Sequence, residues 1–243
     1  MFPRFFAMNR TIILTDLTRF SNPAILCSAG IDTASGECIR PKPYFKYVIC
    51  KSLQIQPGHV VTGWFTPAQD RSGPHQEDYE YKDLHFHQPC SSLEFKRVLN
   101  MSVYPSIAEG FEIDLEPGER RVSVSHTGLR SLITIKINPL EAEIVQDAHQ
   151  PEKLKLNFCD ASGKRYHTIP ITDLGYHDYA VQHHTKDDIA ALNQIIHAQN
   201  ELYLRIGLSR AFQPSPNRQS GYWLQVNGIY TFSDYNKTVR RYT

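Results

Sequence analysis

The feature that most constrains the fold is a series of short strand-like runs separated by turn residues. In the first half, Ala24–Ile31 and Glu37–Arg40 are apolar or alternating runs on either side of the turn Asp32–Gly36. The Ser-Gly pair that ends this turn supplies the positive φ angle that a tight hairpin requires. The same order of strand, Ser-Gly turn and strand returns at Lys153–Phe158 and Arg165–Ile171. Many short strands with frequent turns are typical of small β-barrels.

A second pattern, of helical period, occurs near the C-terminus. It covers Lys186–Leu202, where Thr185 and Asp188 have the spacing of a capping box. Its apolar side chains form one stripe, Ile189, Leu192, Ile195 and Ile196. The stripe predicts a helix packed on a core. The other predicted elements here are a short helix at Ser92–Leu99 and closing strands at Leu202–Leu208 and Tyr222–Phe232.

One segment, Pro139–Pro151, has the composition of a boundary between two halves. It is bracketed by prolines, is rich in acidic residues and precedes the second hairpin. The length of 243 residues allows one large domain or two of about 100 to 150 residues each. We therefore predict a mainly β protein with a few helices, built of two small β-barrels in tandem at residues 1–142 and 143–243.

Composition excludes several classes of protein. Hydrophobic residues make up 41% and charged residues 21% of the chain, as in ordinary globular domains. No apolar run approaches the ~18 residues that cross a bilayer, and the start lacks a signal-peptide pattern. These features predict a cytoplasmic protein with no membrane partner. The five cysteines include no C-x-x-C pair, so we predict free thiols, with no disulfide framework, zinc site or other cofactor.

The common catalytic signatures are absent. The sequence has no glycine-rich phosphate loop, no Gly-x-Ser-x-Gly and no His-Glu-x-x-His. Asp78 with Glu80, and His85 with His87, have the spacing of neighbours on one strand face, which keeps a metal-dependent nuclease or hydrolase as an alternative. Nothing nearby in the sequence nominates a third or fourth ligand, so we assign no metal and no catalytic residue.

Positive charge gathers at the two ends of the chain, although the net charge is only +1. Residues 1–51 hold seven Lys/Arg against three Asp/Glu, and residues 204–243 hold six against one. Aromatic side chains are interleaved with these cations in Arg40–Tyr47 and again from Tyr222 to the C-terminus. Bases stack on aromatic faces while Lys and Arg neutralise phosphates, so the pattern predicts a nucleic-acid-binding surface.

Within the strand Tyr222–Phe232, a period of two separates a core face from a second face that carries Trp223, Gln225 and Asn227. An indole can stack on a base, and the two amides can read base edges. The phosphate candidates are Arg40, Lys42, Lys46, Arg205, Arg210, Arg218, Lys237, Arg240 and Arg241. The stacking candidates are Tyr44, Tyr47, Phe212, Trp223 and Tyr235.

Short segments spread over nearly the whole chain are similar to one protein family. They are Ile25–Asp32, Ser35–Pro41, Ile55–Val61, Pro74–Tyr79, Ser131–Lys136, Leu204–Phe212 and Tyr222–Tyr230. These segments resemble the bacterial dual OB-containing domain (DuOB-like) proteins. The resemblance implies two OB-fold barrels, a role in nucleic-acid binding and an accessory position in bacterial antiviral defence or nucleic-acid-modification systems. None of the segments is a catalytic signature.

We therefore expect a non-catalytic protein of two OB-like barrels that binds single-stranded or structured DNA or RNA, with a protein partner encoded nearby as a further expectation. The first alternative is a scaffold that docks a partner enzyme, with the acidic middle of the chain meeting a basic surface. The second is the metal-dependent enzyme described above.

Overall fold

The computed structural model describes residues 7–126, 128, 130–216, 219–234 and 239. The chain divides into two compact units, the first ending at Ser102 and the second beginning at Val103. No helix within these described ranges is long and apolar enough to cross a membrane.

The first unit is a set of strands with two helices. Its elements are β1 (Met8–Arg19), β2 (Ile25–Asp32), β3 (Cys38–Lys42), β4 (Phe45–Lys46), α1 (Tyr47–Ser52), β5 (His59–Pro67), β6 (Asp78–Pro89) and α2 (Ser92–Met101).

These strands close into a barrel. β1 pairs antiparallel with both β2 and β5, β2 pairs with β3, and β5 pairs with β6. The ring is completed by a parallel pairing of β3 with β6, in which Arg40 is opposite Asp78. A five-stranded barrel in this order, with a helix between its third and fourth long strands, has the connectivity of an OB-fold.

The core of the first unit includes a long buried stretch of β1. Ile12, Ile13 and Leu14 are consecutive and no more than 1% exposed, so both faces of the strand are covered. One face lines the barrel, and α2 packs against β1 and β2. The side chain of Ser91 caps α2 by accepting a hydrogen bond from the backbone of Glu94.

The second unit has more elements. They are β7 (Val103–Tyr104), α3 (Ile107–Phe111), β8 (Arg121–Ser123), β9 (Leu132–Ile137), a 3₁₀ turn (Pro139–Glu141), β10 (Glu143–Gln146), β11 (Leu154–Cys159), β12 (Arg165–Pro170), α4 (Leu174–Gln182), α5 (Lys186–His197), β13 (Glu201–Leu208) and β14 (Gly221–Phe232).

The second unit repeats the barrel connectivity of the first. β9 and β10 are the two parts of a first strand, since β9 pairs with β13 and β10 pairs with β11. β11 continues to β12, and β13 pairs with β14. Just after β12, Ile171 forms a parallel bridge with Val226 of β14, in the place of the β3–β6 pairing of the first unit. The prediction of a mainly β chain with two OB-like barrels is therefore confirmed.

The boundary between the two units lies earlier in the sequence than the boundary predicted at residues 142 and 143. The division falls at residues 102 and 103 because β9 belongs to the second barrel, where Ile135 is opposite Leu204. The proline-bracketed segment begins with a single turn inside the first strand of that barrel. Pro139 is buried, and the side chain of Asn138 caps the turn by accepting a hydrogen bond from the backbone of Leu140.

The two Ser-Gly hairpins are present, and each forms the second and third strands of its barrel. Asp32 and Asp160 begin the turns, and Gly36 and Gly163 end them with φ angles of 76° and 84°. In both turns the glycine N–H donates to the aspartate carbonyl at 2.9 Å. The side-chain carboxylate of each aspartate also accepts hydrogen bonds from backbone N–H groups of its turn. The shared sequence pattern thus marks equivalent places in the two barrels.

The predicted C-terminal helix is present but shorter than expected, ending at His197 because β13 begins at Glu201. The capping box of Thr185 and Asp188 is formed in both directions. Ile189, Leu192 and Ile196 of the predicted stripe are buried, whereas Ile195 is 43% exposed.

Candidate nucleic-acid interface

Two of the predicted phosphate contacts lie at the closure of the first barrel. The Arg40 side chain is buried, and its guanidinium lies 3.1 Å from Asp78 Oδ1 and 3.9 Å from Glu77 Oε2. Lys42 Nζ lies 3.2 Å from Asp70 Oδ2 and 3.5 Å from Asp78 Oδ2. Arg40 was predicted to contact a phosphate. It is instead buried, because the parallel pairing of β3 with β6 places its guanidinium against carboxylates inside the unit.

An open seam lies beyond this closure. The pairing of β3 with β6 ends at Lys42 and Glu80, and the chain then turns so that β4 pairs with β2. Strands β4 and β6 are left without mutual hydrogen bonds, and a cleft of about 480 Å³ opens between them. We call it the aromatic cleft, and its lining residues are Ile25, Pro43, Tyr44, Phe45, Lys46, Ile49, Cys50, Tyr81, Leu84 and Phe86.

Aromatic rings dominate this cleft. The Phe45 ring meets that of Tyr81 edge-on at 6.1 Å and that of Phe86 edge-on at 5.4 Å between centroids. Tyr44 packs on Phe20 with a centroid distance of 4.7 Å. Edge-to-face and tilted contacts of this kind hold rings in defined orientations, so the walls of the cleft are preorganised.

Lys46 is the one charged side chain among the residues that line the cleft. It is exposed and makes no ion pair with any described residue. Burial raises the pKa of the Cys50 thiol to about 12. Burial also raises the pKa of Tyr81, with a further contribution from Cys50. At neutral pH the cleft is therefore an apolar space with a single positive charge at its edge. Tyr47, the remaining stacking candidate of this region, is half-buried at the start of α1.

In the second barrel, β14 shows the predicted alternation. Tyr222, Leu224 and Val226 are buried, whereas Trp223 and Gln225 are half-exposed. Asn227 departs from this pattern. It lies at a bulge between β13 and β14, is only 7% exposed, and accepts a hydrogen bond from Thr172 Oγ1 at 3.0 Å. Its amide therefore stabilises the fold, whereas the sequence predicted that it would hydrogen-bond a base edge.

Trp223 is joined to Phe212 in the loop between β13 and β14. The indole Nε1 donates to the carbonyl of Phe212 at 3.1 Å, and the backbones of Phe212 and Gly221 exchange hydrogen bonds of 2.9 and 3.1 Å. The backbone of Trp223 also donates to Ser209 Oγ at 2.9 Å. These bonds fix the base of the loop while leaving the Phe212 side chain 58% exposed.

Two arginines accompany these rings. Arg121 on β8 is directly opposite Trp223, and its guanidinium lies 3.6 Å from Glu119. Arg210 is half-exposed at the start of the loop. We call this surface the loop patch, defined as Arg121, Arg210, Phe212, Trp223 and Gln225.

Arg205 does not belong to the loop patch. It is fully buried, and its guanidinium donates to Thr134 Oγ1 on the neighbouring strand β9 at 3.0 Å. Arg205 was predicted to contact a phosphate, but its position on β13 is covered inside the unit. Five predicted site residues lie outside the described residues, namely Arg218, Tyr235, Lys237, Arg240 and Arg241.

Sequence reasoning missed an exposed tryptophan in the first barrel. Trp64 on β5 is 45% exposed and has Asn9 and Lys82 opposite it on the two neighbouring strands. The alternation of the strand could have indicated it, because Trp64 falls on the face opposite to the apolar residues Val61 and Phe65. Both of those residues are fully buried. Arg121 was missed as well, since only the register of β8 brings it to Trp223.

The residues of the enzyme alternative occupy different environments. Asp78 is fully buried against Arg40, whereas Glu80 is exposed. His85 and His87 are exposed, and His87 Nε2 lies 2.9 Å from Thr62 Oγ1. Over the described ranges, no group of three or more His, Cys, Asp and Glu side chains has an arrangement that could hold a metal ion.

A second groove, of about 310 Å³, lies on the second barrel. Its lining includes Glu141 and Glu143, and the Arg165 guanidinium there lies 3.3 Å from Glu141. Two carboxylates disfavour an anionic ligand, so this groove is less suited to a phosphate backbone than the loop patch.

No protein-family profile matches the chain, and no curated protein sequence matches it. Several solved structures are similar at low level. The Ifi202 HINa domain in complex with double-stranded DNA is 8% identical, with 92% of this chain and 94% of that chain covered and a TM-score of 0.35. A murine DNA-binding protein bound to double-stranded DNA is 9% identical, with 93% and 97% covered and a TM-score of 0.33.

The replication protein A heterotrimer bound to single-stranded DNA is 8% identical, with 98% of this chain but only 52% of that chain covered and a TM-score of 0.38. Because all these scores are low, the assignment of OB connectivity rests on the strand pairings of the chain itself.

Proposed function

We propose that this chain is a non-catalytic nucleic-acid-binding protein whose partners are single-stranded or structured DNA or RNA. The observation that carries the proposal is the loop patch, where Phe212 and Trp223 lie beside Arg121 and Arg210. This loop joins the fourth and fifth strands of the second barrel, and OB-folds use that loop to bind oligonucleotides.

The chemistry of the patch suits a strand with unpaired bases. The exposed face of Phe212 offers a stacking surface, and stacking on an aromatic side chain contributes about 1–3 kcal/mol per base. The arginines provide the positive charge that releases counterions from the phosphates, which makes binding depend on salt. Gln225 supplies an amide for hydrogen bonds to a base edge.

The proposal extends to a biological setting through the family resemblance. The segments that resemble DuOB-like proteins support an accessory role in bacterial antiviral defence or nucleic-acid modification. A cytoplasmic location and a protein partner encoded nearby belong to the same proposal.

Fluorescence anisotropy tests the binding function. Labelled single-stranded DNA, single-stranded RNA and duplex are titrated with the full chain at about 50 and about 200 mM salt. We expect binding that weakens steeply with salt, and a loss of about tenfold for Phe212→Ala because one stacked base is lost. Arg121→Ala should make the slope of log K against log salt less negative by about 0.7 for a single strand, because one phosphate contact is lost.

The matched control is Leu140→Ala, which shortens a side chain of the same unit that is 69% exposed and lies on the 3₁₀ turn. This variant should bind as the unaltered chain does. The proposal is refuted if the unaltered chain binds none of the oligonucleotides at low salt. It also fails if Phe212→Ala and Leu140→Ala bind equally well.

A protein-docking function is the second candidate. It is favoured by three exposed apolar side chains on and just after α1, where Val48 is 68%, Leu53 is 53% and Ile49 is 45% exposed. Such a patch is typical of an interaction surface. A stoichiometric partner that co-purifies after nuclease treatment and is lost in Val48→Asp would support this function.

A further inference from the structure

The aromatic cleft of the first barrel has the features of a ligand site. Its volume of about 480 Å³ lies within the range of small-molecule sites, about 300–1,000 Å³. It exists because β6 continues beyond its pairing with β3, while the chain after Lys42 crosses to β2. The cleft is thus an opening in the barrel wall, distinct from the outer faces of the strands.

The shape of the walls selects a flat ligand. Tyr81 and Phe86 come from β6, whereas Tyr44 and Phe45 come from the chain after β3. The edge-on contacts of Phe45 with both β6 rings hold these side chains in defined orientations. A planar aromatic ring that enters between the walls finds ring faces and edges as neighbours.

The charge of the lining selects an anion attached to that ring. Lys46 is exposed and makes no ion pair with any described residue. The ten lining residues include no carboxylate, and Tyr81 and Cys50 are neutral at neutral pH. A ligand with a planar apolar ring and an adjacent negative charge is complementary to this arrangement. A nucleotide unit has both parts.

We propose that one unstacked base of the bound strand enters the aromatic cleft and that an adjacent phosphate contacts Lys46. This inference rests on the proposed function, because it takes the ligand to be a nucleic-acid strand. It adds a base-binding site on the first barrel to the loop patch on the second. A base held in a duplex is stacked and paired, so entry requires an unpaired base.

The test uses a variant that fills the cleft. Ile49 lies at the rim and is 45% exposed, so Ile49→Trp places a large ring in the opening without replacing a buried core residue. Leu93→Trp is the matched control, since Leu93 lies on α2 of the same unit, is 79% exposed and does not line the cleft. Circular dichroism and urea unfolding confirm that both variants fold.

The probes are labelled single strands of about 16 nucleotides, intact or with one abasic position moved along the strand. With the unaltered chain, an abasic position that removes the inserted base should lower the affinity about tenfold, whereas neighbouring positions should have little effect. Ile49→Trp should bind the intact strand about tenfold more weakly and should lose this dependence on position. Leu93→Trp should behave as the unaltered chain does.

Several outcomes overturn the inference and leave the proposed function standing. One is equal binding by Ile49→Trp and Leu93→Trp to a strand that the unaltered chain binds well. Another is an unchanged abasic profile in Ile49→Trp. Equal affinity for a free nucleoside monophosphate and for the strand would assign the cleft to a small nucleotide instead. No binding by the unaltered chain to any strand refutes the proposed function itself.

Discussion

Removal of the Asp78 carboxylate is expected to destabilise the first unit strongly. Asp78 is fully buried and lies 3.1 Å from the buried guanidinium of Arg40. In the variant Asp78→Ala, Arg40 keeps Glu77 as a carboxylate neighbour, but at 3.9 Å and with poorer geometry. Lys42 also loses one of its two carboxylates. The positive charges at the closure of the barrel are then insufficiently compensated.

The magnitude follows from the burial of the pair. Removing one partner of a buried ion pair costs about 3–5 kcal/mol, and the remaining contact with Glu77 places the expectation at the lower end, about 3 kcal/mol. Small domains have unfolding free energies of about 5–15 kcal/mol, so this loss is a large fraction of the stability of the first unit. With a urea m-value of about 1.5 kcal/mol/M, the midpoint should fall by roughly 2 M.

The two tryptophans make the assay specific, since Trp64 belongs to the first unit and Trp223 to the second. In a Trp223→Phe background, urea unfolding followed by tryptophan fluorescence reports on the first unit alone. The matched control is Asp70→Ala. Asp70 also pairs with Lys42, but its side chain is 74% exposed, so its loss should cost no more than about 1 kcal/mol.

Equal midpoints for Asp78→Ala and Asp70→Ala would refute the argument that burial makes the Arg40–Asp78 pair structural. If Asp78→Ala does not fold, Asp78→Asn keeps the side-chain shape and removes only the charge. Its midpoint must then still fall below that of Asp70→Ala.

Two further predictions concern stability. Burial lowers the pKa of His59, opposed by the hydrogen bond with Gln56, so the folded state disfavours its protonated form. The corresponding stability is present above the unfolded pKa of about 6.5 and is lost as the pH falls toward the folded value. Urea midpoints measured between about pH 7 and about pH 5 should therefore fall more in the unaltered chain than in His59→Gln, and parallel curves would contradict this. In the second unit, Thr185→Ala removes the capping box of α5 and should cost about 1 kcal/mol by urea unfolding followed through Trp223 in a Trp64→Phe background, whereas Lys186→Ala at the next position should cost less.

Local patterns predicted much of the secondary structure. The two hairpins, the cap of α5 and the alternation of Tyr222, Leu224 and Val226 depend on neighbours within a few residues. Turn chemistry, capping and strand period act over such distances, so they can be recognised in a single sequence. The aromatic and basic character of Arg40–Tyr47 was visible in the same way.

The sequence by itself determined that the chain is mainly β, where its hairpins turn, and which face of β14 enters a core. The tertiary structure decided which half β9 completes, which arginines are buried and where the barrel wall opens. Arg40 and Lys46 are both cations in one short segment, yet Arg40 is buried against carboxylates while Lys46 faces solvent. The difference arises from pairing between strands distant in sequence, β3 with β6 and β4 with β2. The register of such pairings depends on the packing of the whole barrel, and no local pattern encodes it.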